Sequence, residues 1–459
     1  MGVYSPEFGS GWGWVVAGGC VAVAVASLLV PATNGYDPWA WLVWGRQAGR
    51  LELDTTHGPS WKPLPVLVTT ALSVFGGAAP ALWLVVARTA GLAAIVGCYR
   101  LAARQAGALA GVAAGGLLVL TPDGDPRYLR LVLEGHSAPA TAALAVWAVE
   151  RHLAGRPGPA LALATALALD RPEAWPFLGL YALWSGRRRE VPWWAVATAL
   201  GSVPGLWFGG DLWGSGDLWH GAGVAQVYAD DPDRFGDSLV RVADVAAAPT
   251  WVGAGIAVVL AVRARDRVVL ALGAGALAWI GLVVGMATAL GYAAVGRFLL
   301  PAAALLCVLA GIGGVRLVAL VGPGRPRVAV AAAVLLVALL GVVPRADDLG
   351  REVRRIGDRD RFEEEVELAL AVAGGPDAVT ACRRVAVDED SPARTSLTWM
   401  LDVPLGETKR ALLGRPGVVF DRRGTPTAVA LEGSTDPGVV VLARTDDWVV
   451  VAVDCPGAG

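Results

Sequence analysis

Charge is scarce in this chain. Asp, Glu, Lys and Arg supply 17% of its 459 residues, where soluble domains hold nearer a quarter. Hydrophobic residues make up 55% and the mean hydropathy is +0.54. Apolar runs recur along most of the chain, which excludes a soluble domain carrying one anchor and points to a multi-pass membrane protein. The net charge of −2 offers nothing to a nucleic acid. Five cysteines and four histidines form no CxxC and no His/Cys metal spacing, so a zinc-type centre has no ligands here. No internal repeat and no low-complexity linker is present. The first apolar run, Trp12 to Pro31, lacks a basic region before it and reads as a retained helix, not a cleaved signal.

What is there begins with the apolar runs. At roughly 20 residues per span, about eleven membrane helices are expected, near 12–32, 80–101, 107–122, 137–153, 158–170, 174–185, 190–208, 240–262, 268–290, 295–318 and 326–344. The run Pro63 to Phe75 is too short and reads as interfacial or re-entrant. Arginines orient the bundle. Arg100, Arg104, Arg151, Arg156, Arg187 to Arg189, Arg263, Arg265, Arg267, Arg316, Arg325 and Arg327 all fall on one side if the N-terminus is cytoplasmic. The opposite, outer face then receives the loops 33–79, 123–136 and 209–239, together with everything after residue 344.

Residues 1–344 are therefore expected to form a transmembrane domain and 345–459 a small extracytoplasmic α+β domain in the plasma membrane's outer compartment. Arg351 to Val372 has helical amphipathic spacing. Short β-type runs follow at Val385–Val387, Val418–Phe420, Ala428–Leu431, Val439–Leu442 and Trp448–Val453. Cys382 and Cys455 lie in this region, and a disulfide between them suits an oxidising compartment.

The outer loops carry the chemistry. Asn34 to Pro65 holds Asp37, Arg46, Asp54, His57 and Lys62 among Trp39, Trp41, Trp44 and Trp61. Asp37 suits a general base or a metal ligand. It equally suits an N-cap for a helix starting at Pro38. Asp123 and Asp125 form a DxD-like pair that reads either as a turn or, with acids of another outer loop, as oxygen ligands for a divalent cation such as Mg or Mn; Glu134 and His136, at the start of the next span, read as paired or functional. Asp170, Arg171 and Glu173 interrupt one long apolar run, either as an internal ion pair or as a functional break. Arg297 sits at the outer start of a span, where its planar fork suits phosphate, or where it snorkels. The 209–239 loop is structureless by pattern; its Trp213, Trp219, His220 and Tyr228 suit sugar stacking or headgroup anchoring.

Taken together, Asp37, the segment HGPSWKPLPVLVTTALSVFG, the acids Asp123, Asp125 and Glu134, and GRFLLPA from Gly296 to Ala302 resemble the GT-C superfamily of membrane glycosyltransferases, which includes actinobacterial mannosyl- and arabinosyltransferases, and look most like uncharacterised actinobacterial membrane proteins of this type. The resemblance covers roughly the first 340 residues. It implies a polyprenyl-phosphate sugar donor, an envelope glycan, lipid or protein acceptor, Asp37 as base, Lys62 and Arg297 at the lipid phosphate, and Glu134 as a second acid. The second loop lacks the leucine-leucine-aspartate form usual in such families. Two other classes compete: a transporter or lipid flippase, and a non-catalytic envelope scaffold. Convergence of Asp37, Glu134 and Arg297 on one outer cavity distinguishes the transferase from both.

Overall fold

A computed structural model describes residues 10–120, 127–226, 233–292, 295–382, 384–387, 393–409, 412 and 416–455. Asp123, Asp125 and Tyr228 lie outside these residues. The chain is mainly helical. Its helices run α1 Ser10–Ala26, α2 Tyr36–Gly49, α3 Pro63–Leu72, α4 Ala79–Ala106, α5 Ala108–Val119, α6 Tyr128–Leu133, α7 Ala138–Leu153 and α8 Pro157–Asp170. They continue as α9 Trp175–Arg187, α10 Trp193–Ser215, α11 His220–Ala225, α12 Arg234–Ala243, α13 Ala248–Ala264, α14 Arg267–Leu290, α15 Leu300–Ala319 and α16 Arg325–Val372.

Each of the eleven expected apolar runs is helical over most of its length. Among the described residues, three helical stretches are long and apolar enough to cross a membrane: Pro63–Ala106, Arg267–Leu290 and Gly296–Ala319. A fourth is added if Arg234–Ala243 and Ala248–Ala264, bent by 82°, count as one span. Several of the remaining runs form shorter helices; α5, α8 and α9 have 12, 14 and 13 residues. The Pro63 to Phe75 run forms α3 and is set off from the next helix by a kink. It leads through a 3-10 segment, Ser73–Ala78, into α4, with its break at Gly76 (φ 54°, ψ −127°).

α15 is the axis of the bundle. Leu300 to Gly313 is buried without a gap, as expected for a helix that is apolar on every side. It packs against α4, α5, α7, α13 and α14. The crossing with α13 is set by glycine: a Cβ on Gly313 would stand 2.0 Å from the Gly253 carbonyl oxygen.

The segment after residue 208 is not structureless. α10 continues to Ser215, and α11 and α12 follow. The expected boundary at residue 344 falls inside α16, a single helix of 48 residues, on the order of 70 Å long at 1.5 Å per residue. Its far end packs on a five-stranded sheet of order β2-β1-β3-β5-β4, with β1 Val385–Val387, β2 Thr408–Lys409, β3 Gly417–Arg422, β4 Val439–Arg444 and β5 Trp448–Val453. β1 pairs in parallel with β2 and β3, and β5 pairs antiparallel with β3 and β4. Strand alternation divides the packing. Trp448 and Val450 join Val366 and Leu370 of α16, while Val449 and Val451 join Ala428 on the opposite face.

Three short helices complete this part: α17 Gly375–Thr380, α18 Ala393–Met400 and α19 Pro426–Glu432. The expected strand at Ala428–Leu431 is therefore helical. Thr425 caps it, its hydroxyl accepting from the Ala428 amide at 3.0 Å, and Pro426 occupies the first turn. Cys382 and Cys455 are joined by a disulfide with their Cα atoms 5.5 Å apart.

Candidate active site

α2 starts two residues before Pro38, and this moves Asp37 inside the helix. The cap is Gly35, and no side chain caps the helix. Gly35 is required by close approach: its amide donates to the Glu134 carbonyl at 2.8 Å, and a Cβ there would stand 2.6 Å from His136 Nε2. Asp37 is thus free of the capping role and keeps only the favourable field of the helix N-terminus.

Its carboxylate is instead 6% exposed and paired with Arg297, Oδ2 to Nη2 at 3.1 Å. Arg297 comes from the 3-10 turn Gly296–Leu299 that leads into α15. Burial pushes the Asp37 carboxyl up, but Arg297, Lys62, His136 and Arg171 together outweigh it and hold the group below the ordinary aspartate value. Asp37 is therefore ionised at neutral pH.

Lys62, the residue before α3, is 8% exposed, with Nζ 5.0 Å from the centroid of the Trp41 ring. Burial, reinforced by Arg171, pushes its ammonium down to about 7. Arg171 bridges α8 and the turn Pro172–Ala174 in extended conformation. It is fully buried, with its guanidinium 4.0 Å from the Phe298 ring centroid and next to Tyr292 and Glu173. Glu173 beside it is buried too, and meets the same Tyr292. Burying charged groups costs several kcal/mol, by rough estimate. Such cost is tolerated where a ligand supplies the partner.

Asp37, Lys62, Arg171 and Arg297 line one cavity of about 420 Å³. A second cavity of about 280 Å³ lies beside it, lined almost wholly by apolar groups of α3, α4, α7 and α8, with His136, Ser137 and Asp170 as its polar members. The start of α3 serves both: Lys62 lines the first, and Leu64 and Pro65 line the second. The pair makes a chamber with three cations and two carboxylates, Asp37 and Asp211, next to an apolar one.

Other sequence-selected residues lie elsewhere. Glu134 does not line the 420 Å³ cavity. Its carboxylate is held by His136 at 3.3 Å and by Arg359 of α16 at 3.4 Å. Arg46 turns to the C-terminal part, pairing with Asp402 at 2.8 Å, donating to the Trp399 carbonyl and stacking on the Trp399 ring. His57 is exposed, with Nδ1 3.0 Å from the Thr56 hydroxyl. Among the described residues, no group of three or more His, Cys, Asp and Glu side chains is placed to hold a metal ion. Sequence reasoning missed Asp211 and Tyr292, which line the same cavity. The signal for Asp211 was an acid embedded in the apolar, Trp-rich stretch Leu206 to Trp213.

No protein-family profile and no curated protein matches the chain. Solved structures do. ArnT from Cupriavidus metallidurans, bound to undecaprenyl phosphate, is similar with a TM-score of 0.60 at 16% identity, over 96% of this chain and 98% of that one. The Archaeoglobus fulgidus oligosaccharyltransferase in complex with zinc and sulfate reaches 0.52 at 13% identity, over 89% of this chain and 68% of that one. The oligosaccharyltransferase AglB of that organism, in complex with an inhibitory peptide and a dolichol-phosphate, reaches 0.50 at 12% identity, over 90% and 69%. At such identities the likeness is one of architecture. The chain shares the fold of these solved structures over most of its length.

Proposed function

We propose that this protein is a glycosyltransferase that moves a sugar, of mannose or arabinose type, from a polyprenyl-phosphate donor to an envelope glycan, lipid or protein. The reaction takes place on the outer face of the plasma membrane, with the N-terminus cytoplasmic and the C-terminal part outside. One observation carries the reading: an ionised, buried carboxylate shares one chamber with three cationic side chains, Lys62 and Arg171 buried and Arg297 partly buried, beside an apolar cavity. That combination matches a lipid phosphate with an attached sugar and a hydrophobic tail. Charge gathered in one chamber, not strung along a path, favours transfer over transport.

In the resting site Arg297 neutralises Asp37. The donor phosphate competes for that guanidinium and for Lys62 and Arg171, which frees the Asp37 carboxylate. Asp37 then takes the proton from the acceptor hydroxyl. The acceptor oxygen attacks the anomeric carbon from the face opposite the phosphate. The bond from that carbon to the phosphate oxygen breaks, and its electron pair leaves on the lipid phosphate, stabilised by the cations. The anomeric configuration inverts. The prenyl tail lies in the apolar cavity of α3, α4, α7 and α8.

The test is transfer of radiolabel from polyprenyl-phosphate mannose and polyprenyl-phosphate arabinose into envelope acceptors, using membranes with the wild type or Asp37→Asn. The wild type is expected to transfer, and the variant to lose about 100-fold or more. Equal transfer in both, with the variant folded, would remove Asp37 from the chemistry.

A further inference from the structure

A second part of the same chamber is not used by the mechanism above. Asp211, four residues before the end of α10, is 4% exposed. Its Oδ2 accepts from the Gly221 amide at 3.2 Å, and its Oδ1 is buried without a partner. The approach of α11 is tight, since a Cβ on Gly221 would stand 2.9 Å from that Oδ2. Ser60 fixes α11 from the other side, its hydroxyl donating to the Gly221 carbonyl at 2.8 Å. Asp211 is thus held rigidly while one oxygen is left unused.

Aromatic rings accompany it. Phe208 and Trp219 meet edge to face with centroids 4.9 Å apart, and Trp175 packs on Trp207 and Phe208 at 5.8 and 6.0 Å. Trp219 is 63% exposed, although it lines the chamber. A buried carboxylate oxygen without a donor is costly, and a large exposed indole is a surface waiting for an apolar face. A sugar ring supplies both complements: hydroxyl donors at its edge and a C–H face. An organic cation would also suit an acid among aromatic rings. The chamber's own Lys62, Arg171 and Arg297 oppose a cation.

The geometry points to a sugar-ring subsite in this chamber, with the Asp211 carboxylate accepting from ring hydroxyls and Trp219 packing on the ring face. This inference rests on the glycosyltransferase reading. The ring belongs to the donor or to the acceptor, and the experiment separates the two.

Wild type, Asp37→Asn, Asp211→Asn and Trp219→Ala full-length proteins are purified in detergent and matched for elution and Tm. Binding of methyl α-mannopyranoside and methyl arabinofuranoside is followed by saturation-transfer NMR, which needs no turnover. KM for donor and for acceptor is measured separately wherever transfer occurs. The expected result is glycoside binding by wild type and Asp37→Asn that is lost in both subsite variants, with one KM raised about tenfold. A raised donor KM assigns the ring to the donor, and a raised acceptor KM assigns it to the acceptor. If transfer fails in every protein but glycoside binding still depends on Asp211, the subsite stands and the transferase reading falls. If Asp37→Asn abolishes transfer while the subsite variants keep both KM values and all glycoside binding, the subsite is wrong. Preferential binding of methylammonium over the neutral glycosides would also overturn it.

Discussion

Glu363 ties α16 to the helix that carries Asp37, and its titration should be visible in stability. The side chain is 8% exposed, and the Trp39 indole donates to its Oε1 at 3.0 Å. Trp39 is two residues beyond Asp37. Burial pushes the Glu363 carboxyl from 4.5 to about 7, against hydrogen bonds from Thr33 and Trp39 and the charge of Arg359, with Asp360 adding to the rise. Between these values the folded protein binds a proton that the unfolded chain does not. Stability from this group is therefore full below about 4.5 and is lost as pH rises through about 7. At about 1.4 kcal/mol per pH unit, the loss amounts to about 3 kcal/mol. Glu363→Gln keeps an acceptor for Trp39 and removes the charge. Thermal unfolding of the full-length protein in detergent, from pH 5 to pH 8, should show the wild type losing several degrees more than the variant. Parallel pH profiles for the two proteins would refute the argument.

Two further predictions concern the site and the bundle. Lys62 loses its charge as pH rises through about 7, so donor KM should rise about tenfold or more between pH 6 and 8; Lys62→Arg, charged throughout, should flatten the profile, and an unchanged slope would exclude Lys62 from phosphate binding. Gly313→Ala places a Cβ 2.0 Å from the Gly253 carbonyl oxygen and 2.9 Å from the Ala257 amide nitrogen. Backbone cannot step aside as a side chain can, so a cost of about 1–3 kcal/mol is expected. Gly116→Ala, where nothing lies within 4 Å of the new Cβ, is the control, and equal Tm values for the two variants would refute the crossing argument.

How much was legible follows from the range of the interactions. A helix satisfies its own backbone from within one segment, so apolar runs foretold the helices and scarce charge foretold their setting. The short Gly- and Asp-bounded runs likewise foretold four of the five strands, because alternation is a local pattern. Local pattern failed at Ala428–Leu431, where the Thr425 cap and Pro426 outweighed β-type composition. At residue 344 it marked a boundary where the apolar and amphipathic segments in fact join in one helix. In the site, sequence offered Asp37, Lys62, Arg171 and Arg297 as separate chemical candidates. Their partners were not legible. Asp37 meets Arg297, Glu134 meets Arg359, and Arg46 meets Asp402 across most of the chain's length. For Asp211 the apolar, Trp-rich surroundings hinted at burial, but its unused oxygen follows only from the packing of α11 against it. Sequence by itself determined which segments are helical and which residue types are available for chemistry, since both depend on neighbours within a few positions. Only the tertiary structure decided which charges share a chamber, because burial and ion pairing depend on distances in space that no local periodicity encodes.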